Sequence, residues 1–130
     1  GRQFELAIAY NRIGSVQESK AQLTQAQSTF EKALALTADA AKQDPANTHW
    51  QFNLATAYQR LGLVLRKQGQ SLAAEKSLLE YFSIIKALTE KEPANAKWQE
   101  ALAYAQRVVE PVAQANGQAP GFPEEPLSRK

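Results

Sequence analysis

The chain has 130 residues, 44% of them hydrophobic and 22% charged, with 15 Lys+Arg against 13 Asp+Glu and a net charge of +2. Zero cysteines exclude disulfides, thiolate zinc sites and a cysteine nucleophile, and a lone histidine excludes metal centres built on two imidazoles. The near-balanced charge leaves no electrostatic footprint for nucleic acid or an anionic membrane, and no apolar run approaches the ~20 residues that span a bilayer.

In chain order, the first helix is expected from Phe4 to about Lys20, and the second from Thr24 to about Gln43, ending before Pro45. Asn47 and Thr48 are N-cap residues for a third helix, and Thr48 with Gln51 has capping-box form. Its apolar stripe is Trp50, Leu54, Ala57, Tyr58, Leu61, Val64 and Leu65, at three- and four-residue spacing. Gly69 suits its C-terminus. Ser71 or a neighbour opens the fourth, with Leu72, Leu78, Leu79, Phe82, Ile85 and Leu88 inward and Pro93 closing it. A fifth runs from about Asn95 to Asn116, with Trp98, Leu102, Ala105, Val108, Val109 and Val112 inward, and Pro111 is expected to kink or nearly end it. Residues 117–130 hold three prolines and two glycines and read as a flexible tail. Strand patterns rich in alternating β-branched residues are missing, so the fold class is all-α.

These helices repeat. Shifted by 48 residues, the chain matches itself without a gap from Gln3 to Gln22 at ten of twenty positions: Gln3, Phe4, Leu6, Ala7, Ala9, Tyr10, Arg12, Gly14, Val16 and Gln22. Asp-Pro-Ala-Asn from Asp44 falls on Glu-Pro-Ala-Asn from Glu92, and Trp50-Gln51 on Trp98-Gln99. A third copy keeps Leu102, Ala103 and Ala105. The units are therefore 2–49, 50–97 and a last helix 98–116 that caps the stack. The sequence opens at the start of a unit and lacks methionine, which reads as an excised piece of a longer protein.

The pattern resembles the tetratricopeptide repeat family. Tyr10 and Tyr58 match its first-helix aromatic, Ile13-Gly14 and Leu61-Gly62 its Leu-Gly pair, and Ala26 and Ala74 its small second-helix residue. Phe30 and, less well, Leu78 match the aromatic that follows, and Pro45 and Pro93 the closing proline. The glycine is expected to face the alanine of its partner helix, so that two backbones approach closely. The unit is longer than the family's usual one by about two turns per helix, a form similar to arrays in large bacterial multidomain proteins. The resemblance implies a right-handed α-solenoid of five helices: two long hairpins and a capping helix. Its first helices would line a concave ligand groove, bearing Ile8, Asn11, Ser15 and Glu18, then Thr56, Gln59, Leu63, Arg66 and Lys67.

Beside those positions sit Arg12 and Arg60, one repeat apart. Together with Asn11 and Gln59 they fork around a ligand carboxylate, or else the arginines pair with nearby acids such as Glu5 or Glu18 or merely solvate the surface. Trp50 and Trp98 are assigned to inter-repeat packing, and His49 to a solvated helix start without any nucleophile signature. The expected function is non-catalytic recognition of a protein or peptide, without cofactor, metal, nucleic acid or membrane. Alternatives are a regulatory sensor array, or self-association through an N-terminal repeat face exposing Phe4, Ile8 and Phe30.

Overall fold

The structure, a computed structural model, describes residues 2–115, with side-chain surroundings given to residue 109. The expected tail at 117–130 and Asn116 lie outside the described residues. Five helices follow one another: α1 (Arg2–Ser19), α2 (Leu23–Gln43), α3 (Thr48–Lys67), α4 (Ser71–Lys91) and α5 (Ala96–Ala115). Each packs chiefly against its chain neighbours, the arrangement of an α-helical repeat solenoid. Helix α5 continues through Pro111 to Ala115, so that proline does not end it.

Two kinds of turn alternate. Within each hairpin the chain reverses through a Schellman motif. The Gln22 amide donates to Gln17 O at 2.9 Å and the Ala21 amide to Glu18 O at 3.0 Å. One repeat later, Gln70 donates to Leu65 O and Gly69 to Arg66 O, both at 3.0 Å. The pivot residue is left-handed in both, with φ of 63° at Ala21 and 79° at Gly69. Between units, Asn47 caps α3 by accepting the Trp50 amide at 3.2 Å, and Asn95 caps α5 by accepting the Trp98 amide at 3.1 Å. Thr48 already lies inside α3 and forms no capping box; Gln51 Nε2 instead crosses the turn to Pro45 O, as Gln99 does to Pro93 O. Pro45 and Pro93 are exposed, so they shape the turn and contribute little packing.

The close approach inside each hairpin differs from the expected glycine–alanine contact. A Cβ on Gly14 would lie 2.5 Å from Phe30 Cε1, and one on Gly62 would lie 2.7 Å from Leu78 Cγ. Each glycine thus makes room for a large side chain of the partner helix. Phe30 is buried with Ala26, Leu61, Val64, Leu65 and Ala74, while Leu78 is buried with Val108. A further cluster joins Tyr81, Ile85 and Leu88 of α4 to Trp98 and Ala105 of α5. Leu72 and Leu79, expected inward, are exposed, and Tyr81 takes the core position instead. The expected apolar patch around Phe4, Ile8 and Phe30 is also displaced: Phe30 is buried, and Phe4 and Ile8 are only half exposed. The exposed large apolar side chains of α1 are Leu6, Ile13 and Val16.

Ala21 bears a conformation that suits glycine, so Ala21→Gly should stabilise the fold by about 1 kcal/mol and Gly69→Ala should cost about as much. No atom lies within 4 Å of a Cβ at Gly69, so that cost would be one of backbone conformation alone. Urea midpoints of the two variants check both signs. Burial and then the neighbouring Tyr104 push the Tyr81 hydroxyl up to about 12. A raised pKa means that folding favours the neutral phenol. Stability is therefore intact below pH 10 and falls as pH climbs through 12. Tyr81→Phe should flatten that decline in alkaline denaturation.

Candidate ligand cleft

Helices α1 and α3 splay around a cleft of about 500 Å³. The α1 wall presents Phe4, Ala7, Ile8, Asn11, Arg12, Ser15 and Val16; the α3 wall presents Trp50, Asn53, Thr56 and Arg60; Thr37 of α2 forms the floor. Three- and four-residue spacing puts each set on one face of its helix. The aromatic end is built by Phe4 and Trp50, whose rings meet edge-to-face at 5.5 Å. His49 packs tilted on the other contact of Phe4, at 5.6 Å.

The opposite end is polar and cationic. Arg60 Nη1 donates to Ser15 Oγ at 3.0 Å and so ties α3 to α1. Arg60 Nε and Asn11 Oδ1 are buried without hydrogen-bond partners. Leaving such a group unsatisfied costs about 1–3 kcal/mol, so the pair is an open donor and an open acceptor on residues lining one cleft. Among the described residues neither Arg12 nor Arg60 forms an ion pair with Glu5 or Glu18. Glu18 pairs with Lys67 at 2.7 Å, and that is the ion pair found among the described residues.

Of the seven expected groove residues, Asn11, Arg12, Ser15 and Arg60 converge on the cleft. Gln59, Leu63 and Arg66 do not. Leu63 packs with Leu78, Val108 and Tyr104, while Arg66 Nη2 donates to Val108 O at 3.0 Å and binds α3 to α5. The cleft also recruits Phe4, Thr37, Trp50 and Asn53, which lay outside the expected set. Trp50 is half-buried on the cleft wall, whereas its counterpart Trp98 is 7% exposed in the α4–α5 core.

The repeat also shows what occupies the equivalent positions between α3 and α5. Moving 48 residues on replaces Ser15 by Leu63, Thr37 by Ile85, Thr56 by Tyr104 and Arg60 by Val108. These apolar side chains pack where α3, α4 and α5 meet, and the Tyr104 ring lies 6.4 Å from that of Tyr81 on α4. The cleft exists because α1, α2 and α3 carry small or polar residues at those positions. Its sequence signal was therefore the set of departures from the repeat, more than the residues that repeat.

Among the described residues, no cluster of three His, Asp or Glu could hold a metal, and no helix is long and apolar enough to cross a membrane. Thr37→Ile, which copies Ile85 onto the cleft floor, should stabilise the fold by about 1 kcal/mol through added apolar burial. A lowered urea midpoint would show that the floor has no room.

No curated protein and no solved structure matches this chain. The family model described as "Tetratricopeptide repeat" matches twice, at residues 7–39 and 55–87, together about half of the sequence. Both matches begin at equivalent positions of the two hairpins, one in α1 and one in α3. Two helix–turn–helix units in tandem, each closed on a first-helix glycine by a large second-helix side chain, together with those matches place the chain in the tetratricopeptide repeat family, whose members typically are non-catalytic modules for protein–protein interaction.

Proposed function

We propose that the α1–α3 cleft binds an extended segment of a partner protein, with an apolar side chain at the Phe4–Trp50 end and a carboxylate near Arg12 and Arg60. The observation that carries this reading is the unpaired buried pair, Arg60 Nε and Asn11 Oδ1. A peptide answers both: its N–H groups can donate to Asn11 Oδ1, and its carbonyl or carboxylate oxygens can accept from the guanidinium. A carboxylate alone satisfies the donor and leaves the acceptor empty. The volume suits a few residues, since small-ligand sites span ~300–1,000 Å³. Arg12 is exposed at the rim and supplies the second cation. Held walls keep the ordering cost of binding low: α1 closes at Gly14 on the buried Phe30, and α3 contributes to the buried clusters.

Arg60→Ala is a poor probe of this reading, because it also cuts the tie from α3 to Ser15. Arg12→Ala and Thr56→Tyr are cleaner. The first removes an exposed charge, and the second installs the residue that occupies the equivalent groove at Tyr104. Peptides selected against the chain from a random display library should combine an apolar residue with an acid. Each variant should weaken them about tenfold in calorimetric titration while the melting temperature stays within a few degrees. Selected peptides that bind both variants as tightly as the parent chain would contradict the proposal.

A further inference from the structure

The two walls of the cleft are pinned to each other at both ends. Phe4 meets Trp50 with ring centroids 5.5 Å apart, and Arg60 Nη1 donates to Ser15 Oγ at 3.0 Å. Phe4 and Ser15 lie eleven residues apart on α1, and Trp50 and Arg60 lie ten apart on α3. At the helical rise these spans are about 16 Å and about 15 Å. The helices therefore run parallel and in register, and the aromatic end is about 15 Å from the guanidinium end. The bond to Ser15 also fixes which edge of Arg60 a ligand can use. With Nη1 engaged and Nε buried without a partner, the Nε–Nη2 edge is left to meet a carboxylate side-on.

We infer that the cleft selects its ligand by spacing: an extended segment whose apolar residue and acidic side chain stand four positions apart, in either order. The inference rests on the reading of the cleft as a peptide site and adds the register. A cleft of about 500 Å³ drawn out over about 15 Å is about 6 Å across. A helix with its side chains measures about 10–12 Å and does not fit, whereas extended chains pack about 4.8 Å apart. Extended residues advance about 3.3 Å each and alternate faces, so two side chains that both enter the cleft are an even number of positions apart. Two positions cover about 7 Å, four about 13 Å and six about 20 Å. Four matches the pinned ends, with the acidic side chain spanning the remainder. Asn11 lies seven residues after Phe4, about 10 Å along the wall. That is the level of the third position from the anchor, where an extended backbone points its N–H at a wall while its side chains face in and out. Asn11 Oδ1, buried without a partner, is the acceptor there. The charge agrees as well, since the lining residues include Arg12 and Arg60 and no acid.

The test uses fluorescein-labelled peptides blocked at both ends, each with one phenylalanine and one glutamate in a glycine–serine host. They are made in both orders, with from none to about ten residues between the two, which covers extended and helical spacings alike. Anisotropy titration of the full chain should find the tightest binding at three intervening residues in at least one order, about tenfold tighter than at two or at four. Replacing the glutamate by glutamine should remove that preference. Affinity that is indifferent to spacing, or that peaks at about nine or ten intervening residues as a helical ligand would, overturns the spacing rule. The cleft reading survives that result provided that Thr56→Tyr still weakens binding. No binding at any spacing, or binding that Thr56→Tyr leaves unchanged, overturns the cleft reading and the spacing rule with it.

Discussion

The fold turns on two missing methyl groups. Phe30 and Leu78 occupy space that a Cβ on Gly14 or Gly62 would fill, so the spacing of the two helices in each hairpin is set by a glycine receiving a large apolar side chain. Phe30 then does double service. It closes α2 onto α1 and is at the same time buried with Leu61, Val64 and Leu65 of α3, which joins the first hairpin to the next unit. Leu78 plays the same part between Gly62 and Val108. Close packing of this kind propagates position along the stack, since a core with native density has no slack to absorb a displaced helix.

Because the scaffold repeats, its departures from repetition carry the chemistry. Between α3 and α5 the chain fills its own groove with Leu63, Tyr104 and Val108, and Arg66 is spent on the Val108 carbonyl. Between α1 and α3 the same geometry is lined by Ser15, Thr56 and Arg60, and Thr37 leaves the floor low. Among the described residues the α3–α5 positions carry apolar side chains packed on Leu78, whereas the α1–α3 cleft holds a donor and an acceptor lacking partners. Unpaired buried polar groups are costly, which makes them informative about what a ligand must bring.

Most of the architecture is legible in the sequence, because its determinants are local. The 48-residue self-match, the turn prolines and Gly69 fix five helices to within a few residues. Four of the cleft residues, Asn11, Arg12, Ser15 and Arg60, follow from helix periodicity and the family resemblance. The failures are those of non-local context. Trp50 and Trp98 stand at the same position of the repeat, each three residues after a capping Asn and before a Gln, yet one lines a cleft and the other is core, a difference decided by partners such as Thr37 and Ile85 on other helices. Leu63 and Arg66 left the groove because α5 consumes them. Ala21 adopts a left-handed pivot that its side chain disfavours, because the turn it shares with Gly69 is imposed by the packing of the hairpin.

The central claim is that recognition occurs between α1 and α3 while the equivalent groove beside α5 is closed. Hydrogen exchange on the chain saturated with a peptide ligand tests it most directly. Slowed exchange concentrated in the wall segments 4–16 and 50–60, with α5 unchanged, is the result this account predicts. Slowing confined to α4 and α5, with those walls unaffected, would contradict it.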